Sequence, residues 1–135
     1  MENKFEVKKV VSLDKETVKD ILTTAVEGGI NYWAILDNTT PQYIEARTLA
    51  REELGDVPCY CDILYKCFEL GYEVRFEDAE GDDTWNLTHG MFLLGCQKYE
   101  EEGHDIQKEM EDGVFDAISA DTIMQYALFG EIVFE

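Results

Sequence analysis

Residues 72–77 read Tyr-Glu-Val-Arg-Phe-Glu, YEVRFE, and their alternation decides the class of fold. Tyr72, Val74 and Phe76 fall on one side of an extended chain and Glu73, Arg75 and Glu77 on the other. That is the period-two pattern of a strand in a sheet with one wet face. The residues before it follow a different period: from Pro58 to Gly71, the side chains Tyr60, Leu64, Cys67 and Phe68 recur at helical spacing. After the strand, DAEGDDT at 78–84 reads as a turn or exposed loop. Thr88 then offers an N-cap to a helix with Met91, Leu94, Cys96 and Tyr99 facing inward and Glu100, Glu101 and Glu102 at its end.

Further out the same reasoning extends to both ends. Phe5, Val7, Val10 and Val11 suit a first strand, and Asp14 caps a helix whose apolar face is Val18, Ile21, Leu22, Ala25 and Val26. Gly28 and Gly29 stop it, and the apolar stretch Ile30–Leu36, INYWAIL, reads as core in either conformation. A second helix runs from Pro41 to about Leu54, with Thr40 as cap, proline at the first helical position and Gly55 as the stop. Ile106 and Met110 allow a short helix in the polar tract 104–116. A last helix starts at Ser119 or Asp121, carries Ile123, Met124, Ala127 and Leu128, and ends at Gly130 before a short strand from Ile132 to Phe134. No repeat and no Ser/Gly/Pro linker divides the chain. The expectation is a single compact α+β domain, residues 1–135, with about four to five helices packed on a small sheet of short strands.

Charge is the strongest functional signal. Thirty acidic against 11 basic side chains leave a net charge of -19 on 135 residues, while 45% hydrophobic residues keep the composition globular. Residues 77–135 hold 16 Asp and Glu against Lys98 and Lys108 alone, a local net of -14. Such a field repels nucleic acid and anionic membrane and attracts proteins with basic binding surfaces. No apolar run approaches the roughly 20 residues of a membrane span or forms a signal peptide at the N-terminus, so a cytoplasmic location is expected. In that compartment Cys59, Cys61, Cys67 and Cys96 are expected to be reduced. Trp33, Trp85, Tyr32 and Tyr126 lie in apolar context and read as core.

Catalytic and metal chemistry find little support. Cys59, Cys61, Cys67 and Cys96 with His89 and His104 lack the paired C-x2-C spacing of structural zinc sites. Counting an EF-hand from Asp78 puts Gly81 at position four and His89 at twelve, where the loop needs glycine at six and glutamate at twelve. Asp78–Asp83 leaves open only a loose divalent-ion site. There is no G-x-S-x-G elbow, P-loop or G-x-G-x-x-G. No catalytic residue, metal site or cofactor is therefore expected, and the protein is read as a non-enzyme.

Three blocks carry a resemblance: TVKDILTTAVEGGINYW at 17–33, DTWNLTHGMFLL at 83–94 and DTIMQYALFGEIVF at 121–134. Together, about a third of the chain, they resemble a family of small acidic uncharacterised proteins from phages and mobile elements of Firmicutes and Actinobacteria. The resemblance implies no catalytic residues. It implies a genetic context in which small acidic proteins act as anti-CRISPR or other anti-defence inhibitors, some by mimicking duplex DNA. On that expectation the protein is a partner-binding inhibitor in a bacterial host cell. Its partner is a basic nucleic-acid-binding host protein, a CRISPR effector among the candidates, with no direct contact to nucleic acid or membrane. The carboxylates that would occupy the partner's Arg and Lys are Asp78, Glu80, Asp82, Asp83, Glu100, Glu101, Glu102, Asp105, Glu109, Glu111 and Asp112. Two alternatives stay open. One is a sponge for a nucleotide-derived defence signal, using Arg47, Arg51 and Arg75 with Tyr43 or Tyr60. The other is an accessory phage protein whose acidity serves only solubility.

Overall fold

The computed structural model describes residues 10–135. The first-strand expectation at Phe5 and Val7 lies outside them, and Val10 and Val11 are irregular. Three antiparallel strands form the sheet: β1 (Ala34–Leu36), β2 (Val74–Asp78) and β3 (Thr84–Leu87), in the order β1-β2-β3. The YEVRFE alternation is realised in the central strand. Val74 and Phe76 are buried while Arg75 and Glu77 face solvent. Leu36 lies opposite Phe76 on one side, and Trp85 opposite it on the other.

Six α-helices accompany the sheet in one α+β domain: α1 (Lys15–Thr24), α2 (Pro41–Leu54), α3 (Tyr60–Glu69), α4 (His89–Glu101), α5 (Ile106–Glu111) and α6 (Ala117–Phe129). Their ends follow local chemistry. Asp14, Thr40, Thr88, Asp105 and Asp116 each accept a backbone N–H from the first turn, while Gly55 and Gly130 close α2 and α6 in the left-handed conformation. The core gathers Ile21 and Leu22 from α1, Leu64 from α3, Phe92 from α4, Ile106 from α5 and Ile123 and Met124 from α6 beneath Phe76 of β2.

Several expectations shift in register or conformation. Gly28 and Gly29 do not stop α1; the chain widens into a π-helical turn at Ala25–Gly29, closed by the Ile30 N–H to the Ala25 carbonyl. A side chain at Gly29 would stand 2.8 Å from the Ala117 carbonyl oxygen, so the widened turn lets backbone meet backbone at the start of α6. INYWAIL is only half core. Ile30, Trp33 and Ala34 are buried, but Ile35 is 55% and Tyr32 47% exposed, because a turn and then a strand alternate their side chains between faces. Trp85 and Tyr126 are half-buried, and Leu94 is 67% exposed while Phe92 takes the inward position expected of it. Tyr60 likewise faces out. Strand β3 forms where only a turn and a cap were expected. The final helix begins two to four residues early, because Asp116 and Ser119 cap it reciprocally. Residues 132–134 are not a strand; they are extended chain held by Gln125.

The Asp116 cap gives a pH prediction. The Ser119 backbone N–H holds the Asp116 carboxyl below the usual carboxylate range. A carboxyl lowered in the folded state stabilises above its unfolded value and loses that contribution as pH falls through the lower folded value. Asp116→Ala is expected to cost about 1 kcal/mol at neutral pH. The gap in melting temperature between wild type and variant should begin to narrow below about pH 4, where the unfolded carboxyl protonates, and close only as pH falls through the lower folded value. Paired thermal melts from pH 7 to 3 measure it, and a gap that stays constant would remove the cap as its source.

Candidate partner-binding surface

The eleven carboxylates fall in two places, the β2–β3 turn and the corner where α4 meets α5. Four of them are engaged in building those corners. Asp78 accepts the Glu80 N–H at 3.0 Å, and Asp105 accepts the Lys108 N–H at 3.1 Å. Glu100 takes the Ile106 N–H at 2.6 Å. Glu109 takes the Tyr99 hydroxyl at 2.5 Å and the Asp105 N–H at 3.2 Å, with His104 Nδ1 3.7 Å away. Burial first, then the Glu109 carboxylate, pushes the Tyr99 hydroxyl up, so it remains a donor. His104 stacks on the same Tyr99 ring, with centroids 4.1 Å apart.

The remaining seven, Glu80, Asp82, Asp83, Glu101, Glu102, Glu111 and Asp112, are exposed. The two lysines of this half are already occupied: Lys98 lies 3.6 Å from Glu102 and Lys108 4.0 Å from Asp112. The C-terminal half therefore presents an excess of carboxylate to solvent. Three acids at the end of α4 oppose its dipole. Local partners explain how they are tolerated, since Glu100 is used by α5, Glu101 accepts from Gln97 at 3.1 Å and Glu102 pairs with Lys98.

Beside this corner runs an apolar groove of about 950 Å³, floored by Leu13, Val18, Tyr65, Phe68, Phe92 and Ile106, with Glu69, Glu100 and Glu101 among its lining. Nothing in the sequence pattern announced it, because it forms between residues far apart in the chain. A second hollow of about 550 Å³ lies by the C-terminus around Tyr32, Asp121 and Gln125. There Tyr32 donates to Asp121 at 2.5 Å, and burial together with that carboxylate pushes its hydroxyl up to about 12. Trp33 Nε1 donates to the other Asp121 oxygen at 2.8 Å, so this network is committed to holding the tail.

Of the residues proposed for a nucleotide pocket, Tyr60 and Arg47 lie within electrostatic reach of the Tyr43 hydroxyl. Arg47 and Arg51 are exposed on α2, Arg75 reaches Asp37 at 3.7 Å, Tyr43 is buried and Tyr60 faces solvent; neither hollow includes any of them. Among the described residues the one set of three metal-type ligands within 4.8 Å of one another is Cys59, Cys61 and Asp62, so the acids of 78–83 do not converge on a common point. Cys59 and Cys61 are joined by a disulfide, which corrects the expectation of four reduced thiols; Cys67 and Cys96 are free and buried. Among the described residues no helix is long and apolar enough to cross a membrane. The chain matches no family model, no curated protein and no solved structure.

Proposed function

We propose that the protein is a non-enzymatic inhibitor from a phage or mobile element that binds a basic nucleic-acid-binding host protein and occupies the site where phosphates would sit. The observation that carries this reading is the set of seven exposed carboxylates in a half of the chain whose two lysines are already paired. A surface of that sign draws a basic partner by long-range attraction and meets its Arg and Lys with carboxylate oxygens in place of phosphate. The apolar groove beside Glu100 and Glu101 supports the same partner chemistry, a Lys/Arg-rich segment with an apolar side chain to bury. The anti-defence role, a CRISPR effector among the possible targets, rests on the sequence resemblance.

The test uses the wild type and a variant with Glu80, Glu101 and Glu102 changed to Gln and Asp82 and Asp83 to Asn. Wild type should retain nucleic-acid-binding proteins from host lysate at low salt, release them at high salt, and displace duplex DNA from the purified partner. The variant should bind at least about tenfold more weakly, since several exposed charge pairs contribute roughly 0.2–1 kcal/mol each. Retention that ignores salt, or a variant that displaces DNA as well as wild type, would reject the mimic.

A further inference from the structure

Cys59 and Cys61 lie where the chain enters α3. Cys59 is the N-cap and exposed, Cys61 is half-buried, and the disulfide between them spans the single residue Tyr60. The other two cysteines form a contrast within the same molecule. Burial pushes Cys67 up to about 11 and Cys96 up to about 12, which keeps both as unreactive thiols.

The surroundings of Cys59 favour exchange chemistry. It caps a ten-residue helix whose first N–H groups stabilise a thiolate. Asp62 Oδ2 stands 3.2 Å from Cys59 Sγ and accepts the Cys59 N–H at 3.1 Å, a position from which it accepts a hydrogen bond from the Cys59 thiol of the reduced pair and orients it. The other oxygen of Asp62 takes the Lys19 ammonium at 2.6 Å, which offsets a carboxylate charge that would otherwise oppose a nearby thiolate. Burial raises the Asp62 carboxyl, but Lys19 and the Cys59 N–H outweigh it and hold the group below the usual carboxylate range. Two apolar neighbours in sequence are turned outward, Val57 at 74% and Tyr60 at 45% exposure. Apolar side chains next to an accessible sulfur suit an extended peptide more than a small polar disulfide.

We propose that Cys59 and Cys61 form a thiol–disulfide exchange centre, with Cys59 the attacking sulfur, Cys61 the resolving sulfur, and disulfide-linked peptide segments the substrate class. In the reducing direction the Cys59 thiolate attacks one sulfur of the substrate disulfide. A mixed disulfide forms and the other substrate sulfur leaves as a thiolate. The Cys61 thiolate then attacks the Cys59 sulfur, closes the intramolecular disulfide and releases the second substrate thiol. Two electrons pass from the protein dithiol to the substrate, and the two protons of the dithiol end on the two released thiols. Excess reduced low-molecular-weight thiol reverses the chemistry and restores the dithiol. The pair acts independently of the acidic surface. The same three side chains could meet a metal only with both sulfurs reduced.

The test equilibrates the full chain against a series of reduced and oxidised glutathione, quenches with acid, labels free thiols and maps them by mass spectrometry. Cys59 and Cys61 should lose their label together in one two-electron step, with glutathione adduct on only a few per cent of Cys59. Cys61→Ser should accumulate that adduct on Cys59, at least tenfold more than wild type, and Cys59→Ser should accumulate none. Wild type carrying as much adduct as Cys61→Ser would overturn the resolving role. Thiols that stay labelled in excess oxidised glutathione, including thiols protected by stoichiometric zinc, would overturn the centre itself. The reduced protein should also reduce a disulfide-linked peptide at least tenfold faster than oxidised glutathione; equal rates would overturn the substrate class.

Discussion

Gly95→Ala is expected to lower the melting temperature by about 10 °C or more, a loss of about 3 kcal/mol, although it adds one methyl group to a helix. The methyl has no room. A Cβ at Gly95 would stand 2.6 Å from the Ile123 carbonyl oxygen, 2.7 Å from Ala127 Cβ and 2.8 Å from the Ala127 nitrogen. Two of those three atoms are backbone, so no rotamer change relieves the clash and α4 must move away from α6. That separation would strip cover from Phe92, Ile123 and Met124, all fully buried. Gly90 supplies the control. It lies in the same helix with nothing within 4 Å of its would-be Cβ, so Gly90→Ala should be neutral or gain up to about 1 kcal/mol. Thermal melts of both variants read the difference, and a Gly95→Ala protein as stable as wild type would show that the helices do not meet at this point.

The second large effect is expected from Gln125→Leu, which keeps the volume near that of glutamine and removes only polarity. Gln125 is 1% exposed. Its oxygen accepts the N–H groups of Val133 and Phe134, both at 2.8 Å, and its nitrogen donates at 2.9 Å to the Phe134 carbonyl and to Asp121. With leucine the two part-buried N–H groups lose their partner while the Phe134 carbonyl keeps only the Tyr32 hydroxyl at 3.3 Å, and at roughly 1 kcal/mol or more for each lost N–H partner the loss reaches about 2 kcal/mol. The tail is then expected to detach. Phe134 stacks on Trp33, with centroids 5.0 Å apart and planes 8° from parallel, and its departure uncovers a tryptophan that is now 2% exposed. The measured signs are a red-shifted tryptophan emission and a C-terminus clipped by protease under native conditions. Gln125→Glu is the companion: it keeps the acceptor for both N–H groups but sets a carboxylate against Asp121, so its stability should recover as pH falls and the pair gains a proton. A Leu variant with unchanged emission and an intact tail would mean the tail is held by its aromatic contacts alone.

These two positions show where sequence reading runs out. Gly95 looks like any glycine in a helix, a small local penalty with no visible purpose. Gln125 looks like a polar residue on the wet side of α6. Each has its role because an element distant in sequence lies against it, α6 in one case and the C-terminal tail in the other. The helix α4 was misphased for a related reason. The expected inner face was Met91, Leu94, Cys96 and Tyr99, but the buried face uses Phe92, Gly95, Cys96 and Tyr99, since close approach of the helices selects a small residue at their crossing. The acidic set was visible as composition, yet composition does not distinguish Glu109, bound to Tyr99 and the α5 entry, from Glu111 in open solvent.

By itself the sequence determined what depends on neighbours along the chain: five of the six helices, the caps at Asp14, Thr40 and Thr88, the stops at Gly55 and Gly130, the central strand, one α+β domain and a strongly negative C-terminal half. Those features follow from periodicity, capping and charge, all of which act over a few residues or over the whole count. Tertiary structure alone decided which carboxylates stay exposed, where the apolar groove opens, that Cys59 meets Cys61, and that Gln125 holds the tail. Each of these is set by how elements approach in space, and close packing makes that a property of all the side chains together.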